Sequence, residues 1–317
     1  TENQLSIFLI KRGLWLIGIE FLLITLAITL NPLYNVLIFQ VIWAIGGSMI
    51  LLGLLIWARA SLMMIGIIGA VIFFGHNVFD YEKIDFINNT LAGQLLISGG
   101  GFGAFYPIGP NRGFLIAYAL LPWTGVMLLG YVFGSLYKST FDAAKRRKIL
   151  LYTGLSALAF FFIVRYFNIY GDPAPWSVQK TTALSIISFF NVTKYPCSLL
   201  YLCMTVGTSL VVLSLAENIK SKFTSIVIIF GNVPFFYYVC HWYLMRIFTV
   251  IIFFAQGFKS SDIINPKQPI LFLPDNMGFN LFGVYMIWLA VIIILYFPCR
   301  WYSKYKRTHQ QWWLSYL

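Results

Sequence analysis

Charge is scarce in this 317-residue chain: Asp, Glu, Lys and Arg make up 10% of it, and only ten of those residues are acids. A water-soluble domain of this length needs far more to cover its surface, so the scarcity excludes one. Histidine and cysteine are rarer still, at three and four residues. Cys197, Cys203, Cys240 and Cys299 fall in or beside apolar runs, at spacings that match no metal motif. That excludes a disulfide framework and gives no reason to expect a metal. Internal repeats and low-complexity tracts are missing too, so a single domain over residues 1–317 is the economical expectation.

Apolar residues take up the difference. Hydrophobic side chains form 60% of the chain and the mean hydropathy is +0.80, which describes a polytopic membrane protein. Runs close to the roughly 20 residues that cross a bilayer occur at 13–30, 36–57, 60–75, 114–137, 149–167, 197–216, 234–255 and 281–299. None alternates as a barrel strand would, and lipid offers no partner to backbone polar groups. The expected fold is therefore all-α, with eight transmembrane helices.

The basic residues orient them. With residue 1 inside, fourteen of the twenty-two Lys and Arg residues fall in the inner segments, among them Lys11, Arg12, Lys145, Arg146, Arg147, Lys148, Lys220, Lys222 and Arg307. Six of the ten acids fall on the opposite face. This positive-inside bias accounts for the net charge of +12 and removes the argument for nucleic acid as a partner. Membrane lipids are the expected surroundings, a bacterial inner membrane the expected location, with both ends of this chain cytoplasmic. Thr1 is not a methionine and the first span already enters from inside, so an even number of crossings is expected to precede it.

Polar residues inside or beside such runs are costly and point to sites. Phe189 to Gly207 contains a polar break, Asn191, Thr193, Lys194 and Tyr195, directly ahead of a membrane-length run. Glu20 lies within the first span, where a functional acid and a hydrogen-bonded structural one are both open. His241 and Arg246 lie within the seventh, five residues and hence about 140° apart on a helix. Gly231-Asn232-Val233-Pro234 breaks the stretch before them, which predicts a short interfacial or re-entrant piece and then the true span.

On the outer side, Gly75-His76-Asn77-Val78-Phe79-Asp80 follows the third span. If the helix continues, Asp80 stacks on His76 and holds the imidazole as a general base would need; the plainer alternative is a polar helix end meeting water. A long loop with Ser98-Gly99-Gly100-Gly101 comes next, without the Lys-Ser/Thr of a phosphate-binding loop. A second loop, residues 166–180, carries Asn168, Asp172 and Trp176. These suit a sugar, whose ring stacks on Trp176 while amides and carboxylates meet its hydroxyls; Trp176 as an interfacial anchor is the alternative.

Four strings carry a family resemblance: Leu-Pro-Trp-Thr-Gly-Val-Met-Leu-Leu-Gly-Tyr (121–131), Gly-Asp-Pro-Ala-Pro-Trp (171–176), Phe-Asn-Val-Thr-Lys-Tyr-Pro-Cys-Ser-Leu-Leu (190–200) and Phe-Gly-Asn-Val-Pro-Phe-Phe-Tyr-Tyr (230–238). Through them the chain resembles the bacterial DUF1624 membrane proteins, relatives of the heparan-alpha-glucosaminide N-acetyltransferase catalytic domain. The resemblance implies a transmembrane acyltransferase that takes an acetyl or other acyl group from cytoplasmic acyl-CoA. It delivers that group to a sugar amine or hydroxyl across the membrane. The resemblance further implies ten spans in a complete protein, two of them ahead of this chain, with the family's catalytic histidine in the loop between those two. Lys194 and Tyr195 match the polar start of a central span in that family, and His241 matches a histidine after its Phe-Phe-Tyr region.

Acyl transfer from a thioester needs a base for the acceptor and donors for the developing oxyanion. His76 with Asp80 is the expected base on the outer face, and Lys194, Asn191 and Tyr195 the expected donors. Asn77, His241, Arg246 and Trp176 are further candidates to hold a glycan or amino-sugar acceptor. The coenzyme A phosphates would meet Lys145, Arg146, Arg147 and Lys148 at the inner mouth. A transporter or flippase of a small polar or lipid-linked substrate is the rival reading, because broken helices and midplane His241 and Arg246 would serve it equally. A homo-oligomer is compatible with all of this.

Overall fold

The computed structural model describes residues 2–78, 84–100, 105–110, 112–265 and 269–316. Helix dominates. α1 (Glu2–Ile19) runs through a π turn (Glu20–Ile24) into α2 (Thr25–Thr29), with helical dihedral angles at each junction. α3 (Val41–Trp57) and α4 (Leu62–Gly75) follow, then the short α5 (Asp85–Asn89) and α6 (Leu91–Gly93). α7 (Leu120–Gly134), α8 (Ala143–Phe167), α9 (Thr182–Phe190) and α10 (Leu199–Ala216) come next. α11 (Lys222–Asn232), α12 (Pro234–Ala255) and α13 (Leu281–Thr308) complete the helices.

Among the described residues five helices are long and apolar enough to cross a membrane: Leu120–Tyr137, Ala143–Phe167, Leu199–Ala216, Pro234–Ala255 and Leu281–Thr308. They make this an integral membrane protein. Val41–Trp57 and Leu62–Gly75 are apolar but shorter. Two of the expected runs begin in extended backbone, because β1 (Val36–Phe39), β2 (Phe105–Gly109) and β3 (Arg112–Ile116) form a small sheet in the order β1-β3-β2. The break at Gly231–Pro234 is where the sequence puts it: α11 ends at Asn232 and Pro234 opens α12, where its missing N–H costs nothing.

The chain divides into two compact units. One comprises Thr1–Ile17, Phe39–Pro107 and Phe114–Ile219; the other comprises Gly18–Ile38, Ile108–Gly113 and Lys220–Leu317. In the first, helices approach closely at glycines. A Cβ on Gly13 would sit 2.5 Å from the Gly46 carbonyl, one on Gly125 3.0 Å from the Phe73 nitrogen, and one on Gly154 2.7 Å from the Gly207 carbonyl. These contacts bring α1 to α3, α4 to α7 and α8 to α10, as small residues do where lipid removes the hydrophobic drive for helix association. Buried hydroxyls add to the frame: Ser6 Oγ donates to the Gly53 carbonyl at 2.9 Å, and Ser48 and Thr124 Oγ atoms lie 3.1 Å apart. In the second unit, Val233, Cys299, Tyr302 and Leu314 form a core, with Phe236 stacked on Tyr302 at 4.5 Å between ring centroids.

Candidate functional site

The loops that join α8, α9 and α10 converge on one ion pair. Arg165, in the last turn of α8, and Asp172 have side chains only 2% and 1% exposed, with Nη1 3.7 Å from Oδ1. The Arg165 guanidinium donates to the carbonyls of Phe189 (2.9 Å), Ala174 (2.7 Å), Ser188 (3.1 Å) and Asn191 (2.9 Å). It thereby satisfies three carbonyls that the end of α9 leaves without helical partners, and one in the loop before that helix. The Asp172 carboxylate accepts from Ala174 N (2.9 Å), Thr193 N (2.8 Å), Thr193 Oγ1 (2.9 Å) and Ser198 Oγ (2.8 Å). Ser198 is in turn the N-cap of α10, accepting from Tyr201 N. One carboxylate therefore fixes the turn from residue 191 to 198 and the start of the helix behind it.

α4 pins the same helix start from the other side. It ends at Gly75, with His76 as its C-cap, so no continuous helix carries the expected stacking of His76 on Asp80. Asp80 itself lies outside the described residues. His76 is 4% exposed, and its two ring nitrogens lie 3.1 Å from the carbonyls of Ile72 and Cys197. Burial lowers its pKa and favours the neutral imidazole. Neither nitrogen faces open space, so in this arrangement the ring positions backbone rather than meeting an acceptor. Asn77 Oδ1 accepts from Leu199 N at 2.6 Å, and Tyr170 Oη donates to the Phe74 carbonyl at 2.6 Å.

On this frame stand Lys194, Tyr195 and Tyr118. The Lys194 ammonium lies 5.0 Å from the centroid of the Tyr195 ring and 5.9 Å from that of Tyr118, both within cation–π range. The two phenol oxygens are 3.3 Å apart, the rings meet edge to face at 5.3 Å, and Trp123 adjoins Tyr118 at 5.5 Å. Lys194 and Tyr195 are half-buried. Among the described residues no carboxylate lies within ion-pair distance of Lys194. The ammonium and the Tyr195 hydroxyl are hydrogen-bond donors toward an oxygen that carries or gains negative charge.

The other candidates separate from this cluster. Asn191 is exposed and contributes its backbone carbonyl to Arg165. Trp176 Nε1 donates to the Tyr166 carbonyl, and Asn168 exchanges hydrogen bonds with the Trp176 backbone, so this pair organises its own loop. Asp172, offered by the sequence to sugar hydroxyls, is turned inward. Arg146 pairs with Glu217 and lies 4.8 Å from the Tyr137 ring, which draws the Glu217 carboxyl below its usual range; Lys145 and Lys148 are exposed. In the second unit, His241 Nδ1 faces the Tyr238 carbonyl, and its ring stacks on Tyr237 at 5.6 Å. Arg246 is 7% exposed, donates through Nη2 to the Leu271 carbonyl and has a buried Nε without a hydrogen-bond partner among the described residues. Glu20 is fully buried in the π turn.

Arg165, Tyr118 and Ser198 went unsingled by the sequence. Arg165 carries the one readable signal, a cation at the end of a membrane-length run, where a helix C-terminus favours positive charge. No family model matches this chain, and no curated protein or solved structure matches it.

Proposed function

We propose that this chain is the catalytic part of a membrane-embedded acyltransferase that moves an acetyl or longer acyl group from acyl-CoA to a sugar amine or hydroxyl. The observation that carries the reading is the pair of donors, Lys194 and Tyr195, on a turn locked by Asp172 and set against the Tyr118 ring. In this reading eight segments cross the membrane with both ends of the chain inside. Lys145, Arg147 and Lys148 meet the coenzyme A phosphates while Arg146 stays with Glu217. An amine acceptor attacks the thioester carbonyl with its own lone pair, and the carbonyl oxygen takes up negative charge. Lys194 and the Tyr195 hydroxyl donate to that oxyanion, and its collapse breaks the carbon–sulfur bond and expels the coenzyme A thiolate, which takes up the proton the amine nitrogen releases as the amide forms. His76 and Asn77 act by holding Cys197 and Leu199, not by touching substrate.

The test is transfer of radiolabel from acetyl-CoA to membrane glycans at matched expression. Lys194→Ala should lower transfer by about two orders of magnitude, the loss typical of one oxyanion donor, and Tyr195→Phe should lower it less. Absence of label above an empty membrane across several amine and hydroxyl acceptors would sink the proposal. The rival reading, a transporter of a small polar substrate, is favoured by one observation, the buried Arg246 guanidinium in α12 with its unpartnered Nε. Substrate flux without acylation, lost in Arg246→Gln, would select it.

A further inference from the structure

A cavity of about 490 Å³ opens between α1, α3 and α7, lined among others by Ala44, Ser48, Met49, Trp123, Val126 and Gly130. Its walls are apolar. The Ser48 hydroxyl that reaches it is already engaged: Thr124 Oγ1 donates to the Leu120 carbonyl, which leaves Ser48 to donate to Thr124. A space of this kind stays dry and takes hydrocarbon. Trp123 connects it to the polar cluster, since its ring adjoins Tyr118 and the Tyr118 ring carries the Lys194 ammonium.

We infer that cavity and cluster together bind one membrane lipid with a phosphate headgroup, its tail along α3 and α7 and its phosphate at Lys194. Two features select that occupant. The cluster offers the Lys194 ammonium and the Tyr195 hydroxyl beside the Tyr118 ring, and its positive charge has no carboxylate partner among the described residues. A phosphate supplies an acceptor oxygen for each and the missing negative charge. The adjoining apolar volume then requires an alkyl chain on the same molecule, which a free sugar or inorganic phosphate lacks. The Tyr195 hydroxyl, which donates to Tyr118 Oη over a long 3.3 Å, can exchange that contact for a stronger bond to phosphate.

The inference uses the location of the proposed site but needs no acyl donor, so acyl transfer and lipid binding can fail separately. The test places the purified chain in nanodiscs of phosphatidylcholine and follows tryptophan fluorescence as phosphatidic acid with brominated chains is added. Brominated phosphatidic acid should quench more than brominated phosphatidylcholine, and Trp123→Phe should remove that excess. Lys194→Gln should weaken the apparent affinity for phosphatidic acid by about tenfold, with Lys194→Arg retaining it. Gly130→Phe should abolish the excess, because it fills the cavity from a position where an added Cβ meets nothing within 4 Å. Equal quenching by the two lipids, or a preference that survives both Lys194→Gln and Gly130→Phe, overturns the inference. Quenching by a brominated fatty acid as strong as by phosphatidic acid overturns the phosphate assignment.

Discussion

Asp172→Ala removes the acceptor of four hydrogen bonds and the counter-charge of a buried guanidinium in one step. Three magnitudes bound its cost. Hydrogen bonds within helical membrane proteins average about 0.6 kcal/mol, which for four gives a floor near 2 kcal/mol. Removing one partner of a buried ion pair costs about 3 to 5 kcal/mol, because the other is left charged in a poor solvent. Arg165 softens that, since its four carbonyl partners remain to hold the guanidinium. The expected loss is therefore about 3 kcal/mol, nearer the floor than the ceiling. Asp172→Asn keeps one acceptor oxygen but turns an NH₂ toward donors, so a loss of about 2 kcal/mol follows from the bonds it cannot make. Equilibrium unfolding in mixed detergent micelles, followed by circular dichroism, measures both. The order alanine, asparagine, wild type in rising stability is the signature of an acceptor role. A folded Asp172→Ala protein within about 0.5 kcal/mol of wild type would refute the claim that this carboxylate holds the turn.

The two glycines with opposite surroundings should respond with opposite sign. Gly154→Ala, whose Cβ would press on the Gly207 carbonyl, should destabilise by about 1 to 3 kcal/mol, while Gly130→Ala in α7, with open space, should gain up to about 1 kcal/mol in thermal unfolding. Glu217 has a folded-state pKa below its unfolded one because Arg146 hydrogen-bonds to it, so its contribution is present above the ordinary carboxylate range and fades as pH falls through the lowered value. Melting curves of wild type and Glu217→Gln should differ at neutral pH and converge in acid. His76→Ala should lower stability through the freed carbonyl of Cys197, and at matched folded protein should spare acyl transfer more than Lys194→Ala does. Equal losses in the two would return His76 to a direct role.

The apolar runs were legible because lipid fixes both the type and the length of an element. Their ends were less so. Val36–Phe39 and Phe114–Ile116 belong to strands, yet each stands next to a helix of the same apolar composition, so no change of period marks the switch. The polar string from Asn191 to Tyr195 was legible because its residues are expensive beside a membrane-length run. Its support was not, since Asp172 is separated from Thr193 and Ser198 by a whole helix and meets them only once α9 has folded back.

That difference in legibility follows from what each residue does. Lys194 is costly where it stands and has no carboxylate partner among the described residues, so its presence calls for something outside the chain. Arg165 and Asp172 cost as much to bury, but each is satisfied by the other and by backbone, which leaves them nothing to offer a substrate. A carboxylate in a loop beside Trp176 invites a sugar-binding assignment when read along the chain. Counting its hydrogen bonds reverses the assignment, because an acceptor already holding four donors is a structural brace. Lys194→Met separates the two kinds of charge: with an apolar side chain of similar length it should leave unfolding within about 0.5 kcal/mol of wild type, whereas Arg165→Met should cost several times more. A Lys194→Met protein as unstable as Arg165→Met would make the ammonium part of the brace and remove the argument that it waits for a ligand.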